Sequence, residues 1–457
     1  MKKVLLRFLG PLVAAACLGV SIAPGDAPAP ANAARSCLLE NGMRVLLYEK
    51  HETPLVNISL AVNVGSKDES EGSLGLSHLL EHCLLFRGPG TVVEPGAVND
   101  LRRNGAYFNG YTSQDLTTYE MTLPVGRAEF GLSVIKGIFA DPDPGPDTLE
   151  REKAVILEEI GTLRDDPRRY AAFLIHENMF PGHPYGNALF GNEETIRNAG
   201  PGELRVLHGK YYVPSNCALA VVGDFAIADM ERLVRAAVGG LQGPPPARTE
   251  PSKAKLLKKG VDIRKEMDVE EAYLAVGFAG PDYNHPDRVP ADILTEILGR
   301  GFNPMLSVAL RSRRDLVKSI SMSYAAFKSG GLFIILYTLD PKDVAQARNE
   351  TLSFLRKVRS LNFAKEDYYG EEKIYAFDFL QGAKNRVRFG AQRGRESGLN
   401  LASAFARHML LAEGKDGNES YLERIERVAS PDLRKIATRY MNQGEYVVVA
   451  IVPGKKR

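Results

Sequence analysis

The sequence carries almost no excess charge. Its 58 Lys and Arg stand against 56 Asp and Glu, a formal +2 over 457 residues. That balance leaves no electrostatic footprint for nucleic acid, so none is expected as a partner. Cysteine is scarce too. Of the 4 present, Cys37, Cys83 and Cys217 lie beyond the first 33 residues. An odd, small set of this kind is no disulfide framework; one bridge at most can form, and the sequence does not choose its partners. The cysteine spacing offers no zinc ribbon either. Beyond the N-terminus no apolar run is long enough to span a membrane. What remains is ordinary for a globular protein, 44% hydrophobic and 25% charged, and long enough for two or more domains with sizeable cores.

The N-terminus stands apart. Met1-Lys2-Lys3 and Arg7 make a basic start, Phe8 to Ile22 is mostly apolar, and a stretch rich in Pro and Ala leads to Ala31-Asn32-Ala33, a small-residue cleavage site. This is the pattern of a secretory signal peptide over residues 1–33, and it makes the periplasm the expected location. Gly10-Pro11 interrupts the apolar run, against a transmembrane anchor. Ala14-Ala15-Ala16-Cys17 also resembles a bacterial lipoprotein site. Lipid on Cys17 would turn the Pro/Ala stretch into a tether.

The clearest internal boundary is residues 239–262, which hold Gly239, Gly240, Gly243 and the run Pro244-Pro245-Pro246 before several lysines. Such a stretch is a linker, semi-rigid where prolines cluster. It divides the chain into residues 34–238 and 263–457. The halves look like distant repeats. Leu60 to Gly65 and Leu274 to Gly280 are strand-like near their starts; Ala218 to Val222 and Tyr446 to Val452 are strand-like near their ends. Further strands are read at Val45 to Tyr48, Val56 to Val64, Tyr107 to Thr112 and Thr117 to Leu123, and helices at Leu74 to Phe86 and Asp147 to Leu163. Short strand-to-strand spacings favour antiparallel pairs. The expected class is α+β, with two homologous α/β sandwich domains and mainly antiparallel sheets.

Histidine is rare, 8 in all, yet two stand four apart in His78-Leu79-Leu80-Glu81-His82. Positions i, i+3 and i+4 share a helix face, so His78, Glu81 and His82 project together. Two imidazoles at that spacing can take adjacent corners of a zinc tetrahedron, with Glu81 beside them to accept a proton from an attacking water. A chance H-x-x-E-H in such a chain is roughly a one-in-a-hundred event. Zinc hydrolases usually take a third protein ligand from another element. The helix from Asp147, read as its cap with Glu150 three residues on, supplies one. Its apolar stripe, Leu149, Ile156, Ile160 and Leu163, also carries Glu152 and Glu159. A carboxylate on a core-facing stripe is expensive unless paired or bound to metal. Glu158 points about 100° away. Glu159 is therefore the better ligand, with Glu152 a supporting or charge-balancing residue.

His78-x-x-Glu81-His82, followed by Glu152 and seven residues later by Glu159, resembles the inverted zinc motif of the pitrilysin/insulinase family of metallopeptidases. Leu39-Glu40-Asn41-Gly42-Met43, Asn109-Gly110-Tyr111-Thr112-Ser113, His183-Pro184-Tyr185-Gly186 and Val221-Val222-Gly223-Asp224 are similar to further blocks of its first domain. The resemblance implies a zinc endopeptidase of the processing-peptidase branch. One Zn2+ per chain would be held by His78, His82 and Glu159, with Glu81 and Glu152 catalytic. The second domain would be metal-free, and indeed lacks the motif. It also implies an edge strand at Tyr107 to Ser113 that pairs with a peptide substrate, with Asn109, Tyr111 and Arg311 substrate-binding. On residues alone Asn109-Gly110 reads equally well as a hairpin turn. One departure stands out. Family members carry an Arg and, seven residues later, a Tyr in the second domain; here Arg311 fits but Lys318 stands where Tyr would be. A homodimer would lack half the pair, so the expected partner is a homologous metal-free subunit, with self-association the other possibility. The alternative function is a non-catalytic scaffold or binding subunit of an envelope complex.

Overall fold

The computed structural model describes residues 33–85, 101, 105–140, 142–247, 253–254, 257, 259–301, 303–363, 379–412, 420–441 and 444–454. Residues 1–32, all but the last of the stretch read as a signal peptide, lie outside the described residues, and Cys17 with them. The chain builds two mixed sheets. The first contains β1 (Ala34–Leu38), β2 (Arg44–Glu49), β3 (Leu55–Val62), β4 (Tyr107–Thr112), β5 (Thr117–Pro124) and β6 (Cys217–Gly223), in the order β1-β2-β6-β3-β5-β4. The second contains β7 (Val261–Met267), β8 (Ala272–Gly280), β9 (Ser319–Phe327), β10 (Gly330–Leu339) and β11 (Tyr446–Pro453), in the order β7-β11-β8-β10-β9.

Set aside β1 and the two orders are one topology. β2 to β6 map on β7 to β11 in chain order, and the parallel pair of the first sheet among the described residues, β2 with β6, recurs as β7 with β11. All other pairs are antiparallel. The repeat faint in the sequence is thus explicit in the strand order. β7 begins at Val261, inside the stretch read as linker.

The helices are α1 (Leu76–Leu85), α2 (Ala128–Ile138), α3 (Pro146–Asp165), α4 (Pro167–Met179), α5 (Glu193–Asn198), α6 (Pro201–Tyr211) and α7 (Ile227–Val238), then α8 (Arg288–Gly299), α9 (Val344–Val358), α10 (Phe379–Gly394), α11 (Gly398–Leu411), α12 (Tyr421–Arg427) and α13 (Ser430–Tyr440). None is long and apolar enough to cross a membrane among the described residues.

Both faces of each sheet are covered, which is why the central strands are nearly continuous apolar runs. On β3 and β6, Val56, Ile58, Leu60, Leu219 and Val221 face the helices of their own half. Ala61, Ala218, Ala220 and Val222 face α11, which comes from the other half and brings Leu401, Phe405 and Leu410. The second sheet is treated alike. Val276 and Phe278 face its own helices; Ala275, Val447 and Val449 face α4, contributed by the first half. Small residues on the exchanged faces let the helices close in. A Cβ on Gly277 would lie 2.3 Å from Ile175 Cγ2.

A buried polar clasp joins the halves. Tyr185 Oη donates to Asp115 Oδ1 at 2.8 Å and accepts from Ser329 N at 2.8 Å. Lys328 N donates to Asp115 Oδ2 at 2.9 Å, and Lys67 pairs with Asp115 Oδ1 at 3.1 Å.

Candidate metal centre

Helix α1 lies between the first sheet and α3, and all ten of its residues are buried. Leu79, Leu80 and Cys83 pack into the core, which leaves His78, Glu81 and His82 facing α3 and β4. Helix α3 starts one step earlier than the sequence suggests. Gly145, at φ +76°, precedes it and Pro146 takes its first turn. Asp147 therefore sits inside the first turn rather than capping it, because proline's fixed φ and missing N–H suit the start of a helix. At the other end Asp166 closes α3 and caps α4, accepting from Arg168 N and Arg169 N.

The two helices bring His78, His82 and Glu159 together, their ligand atoms all within 4.8 Å of one another. His78 Nε2 lies 3.7 Å from Glu159 Oε2, and His82 Nε2 lies 4.0 Å from Glu159 Oε1. The edges of a zinc tetrahedron are about 3.4 Å, so a small inward shift would close this set on the ion. Glu159 Oε2 is buried with no hydrogen-bond partner among the described residues, as expected of an atom that would face an ion. The residues fit zinc.

The surroundings orient each ligand. His82 Nδ1 lies 3.2 Å from Glu152 Oε2, which fixes the ring with Nε2 toward Glu159. Glu152 is itself held by Arg151 Nε at 2.9 Å. Phe190 meets the His78 ring edge-on at 5.1 Å. Without metal, burial and the neighbouring His82 hold His78 well below the usual imidazole range. Burial also works against charge on His82, but Glu152, Glu81 and Glu159 outweigh it and its pKa is raised. Burial lifts Glu159, opposed by His82 and Arg169.

Glu81 is 3% exposed. Burial lifts its carboxyl to about 7, opposed by His82 and by the bond from Thr112. Thr112 Oγ1 donates to Glu81 Oε2 at 2.7 Å. Gly110 lies so close that a Cβ would come within 2.8 Å of Glu81 Oε1. Both residues are on β4, which is a strand and not a hairpin turn. Among the described residues it is the outer strand of its sheet, hydrogen-bonded to β5 on one side. Strand alternation turns Asn109 and Tyr111 to the face opposite Gly110 and Thr112. There Asn109 Nδ2 donates to Tyr111 Oη at 3.0 Å and to Tyr107 Oη at 3.3 Å. Arg311 is exposed on the short π-helical segment Val308–Ser312 in the second half, and makes no hydrogen bond or ion pair with this centre among the described residues. Thr112, Phe190 and Arg151 were missed from sequence. Only Thr112 had a signal: once Tyr107 to Thr112 is a strand, alternation puts Thr112 on the face of Gly110. Cys37, Cys83 and Cys217 form no disulfide among the described residues.

Residues 44–193 match the family model described as insulinase, peptidase family M16, and residues 200–372 match the peptidase M16 inactive domain. The chain belongs to peptidase family M16. Among its M16 relatives, a Bacillus subtilis protein described as the uncharacterized zinc protease YmxG is 25% identical over 70% of this chain and 77% of its own length. The zinc protease PqqE of Helicobacter pylori is 22% identical over 92% of each chain. The crystal structure of a protease from Helicobacter pylori shares the fold, with a TM-score of 0.82 at 21% identity, over 93% of this chain and 100% of that one.

Proposed function

We propose that this chain is a zinc-dependent endopeptidase that hydrolyses peptides or unfolded protein segments after export to the periplasm. In this reading residues 34–238 form the metal-bearing domain, residues 239–262 a linker and residues 263–457 the metal-free domain. The observation that carries it is the convergence of His78, His82 and Glu159, from two helices, beside the buried carboxylate of Glu81. That the relatives are named zinc proteases supports it.

His78, His82 and Glu159 would hold Zn2+, one per chain. The chemistry a bound ion would supply there is a lowered pKa for the attacking water, which makes it nucleophilic at neutral pH, and polarisation of the scissile carbonyl. Glu81 takes the proton and passes it to the leaving amine, and no covalent enzyme intermediate is needed. Thr112 keeps one of the Glu81 oxygens aimed. The open edge of β4 takes the substrate backbone as an added strand, which gives affinity with little demand on sequence. Arg311 would act from the second domain, of this chain or of a partner.

Metal content and peptidase activity of the mature chain and of Glu81→Gln, each with and without chelator, test this. The expected result is one zinc in both proteins, chelator-sensitive cleavage by the wild type, and a loss of about 10²–10⁴-fold in the variant. A chain that binds no zinc sinks the proposal.

A further inference from the structure

Helix α1 begins where the chain turns through Gly75 at φ +85°, and the backbone N–H groups there converge on one carboxylate. Glu69 Oε2 accepts from Gly75 N at 2.8 Å, and Oε1 accepts from Ser77 N at 2.7 Å. Glu69 is 7% exposed. No cation pairs with it among the described residues. Burial pushes its carboxyl up to about 7 despite the two backbone bonds. An anion kept in the interior without a counter-charge lowers stability near neutral pH. Its compensation is geometric: it satisfies free N–H groups at the helix start and opposes the helix dipole.

The same loop is gripped from the other side. Asn187 Nδ2 donates to Glu69 O at 3.1 Å and to Ser66 O at 2.9 Å. Gly191 crosses Gly75 so closely that a Cβ on either would lie 2.7 Å from the Cα of the other. Between them Phe190 meets the His78 ring. Glu69 thus sits at the root of a loop pair whose far end is a ligand side chain.

We propose that Glu69 is a positioning residue of the metal centre: its buried carboxylate fixes the first turn of α1, and through it His78, so that both imidazoles meet the metal already aligned. It touches neither metal nor substrate. Only the kinetic part of its test rests on the peptidase reading.

The test compares wild type, Glu69→Gln and Glu69→Asp after loading with Co2+, whose visible absorption reports ligand geometry. Glutamine keeps the volume but offers one acceptor oxygen, so its NH2 would face the second N–H. Aspartate keeps both acceptors on a shorter stem. Glu69→Gln is expected to weaken Co2+ binding about tenfold or more and to shift the visible bands. With saturating zinc it lowers kcat and leaves KM unchanged. Glu69→Asp recovers part of each loss. A Glu69→Gln protein that melts earlier yet keeps wild-type Co2+ affinity and spectrum overturns the proposal, because the role is then structural alone. Should Glu69→Gln not fold, Glu69→Asp decides: a partial loss of affinity supports the proposal, and wild-type affinity and spectrum overturn it. The Co2+ measurements need no substrate. A wild type that binds Co2+ but cleaves nothing therefore counts against the peptidase reading and not against this one.

Discussion

At His82 the two ring nitrogens face different partners: Nδ1 faces Glu152 and Nε2 faces Glu159. The arrangement separates two carboxylates that the sequence could only rank. Glu152 is 3% exposed and already bonded to His82 and Arg151; Glu159 keeps an unpartnered oxygen. Substitution of each should therefore fail differently. Glu152→Gln weakens the acceptor that fixes the ring, so zinc affinity, measured by competition with a chromogenic chelator, should fall about 10–100-fold. Excess zinc should restore much of the activity. Glu81→Gln should do the reverse, keeping zinc and losing turnover. Equal zinc affinity in Glu152→Gln and wild type would show that the bond to His82 orients nothing. The cluster of His78, Glu81, His82 and Glu159 was legible because helical spacing alone brings the first three to one face, and because a carboxylate on an apolar stripe needs a partner. Glu69 was not legible. Its partners are the backbone N–H groups of Gly75 and Ser77, and no side-chain pattern encodes a loop that folds back on a helix start.

At the scale of elements the decisive feature is the exchange of α4 and α11. The sequence marks individual strands well, since alternation and apolar runs show at Val56 to Leu60 and at Ala218 to Val222. It does not say that the second face of each sheet is covered by a helix from the other half, because an apolar face looks the same whichever helix covers it. The exchange makes the seam under α4 a test of stability. His176 lies on α4 between Phe180 and Phe327, ring centroids 5.7 Å from each, with Nε2 buried and unpartnered. Burial lowers its pKa to about 4. Between pH 6.5 and 4 the unfolded chain binds the extra proton and the folded one does not. Stability from this group is therefore present above 6.5 and is lost as pH falls toward 4, by up to about 1.4 kcal/mol per pH unit. His176→Phe should remove that loss. Urea midpoints at pH 7, 5.5 and 4.5 should converge on acidification if wild type starts higher, or diverge in favour of the variant. Parallel lines for the two proteins would show that His176 titrates normally.

For the whole molecule, the question is whether one kind of chain suffices. The cluster in the first half is assembled without help from the second: both helices, the Glu81 carboxylate and the outer strand β4 belong to residues before 168. The second half offers the exposed Arg311 on its π-helical segment, and seven residues later Lys318, half-exposed and paired with Glu271 at 3.0 Å and Asp340 at 2.6 Å. A lysine held between two carboxylates is not the phenol that the family resemblance implies at the substrate; were such a phenol to donate to a developing oxyanion, it would be worth about 10²–10³ in kcat. If a metal-free partner supplies the missing tyrosine, the purified chain should bind zinc yet cleave unstructured peptides slowly. Lys318→Tyr should then raise kcat by about tenfold or more, since surface ion pairs of this kind contribute little to the fold. Size-exclusion chromatography of both proteins would show whether the gain comes with self-association, as a pair completed across two copies requires. Fast cleavage by the wild type alone, unchanged in Lys318→Tyr, would mean that Arg311 and the first-half centre suffice and that no second kind of subunit is needed.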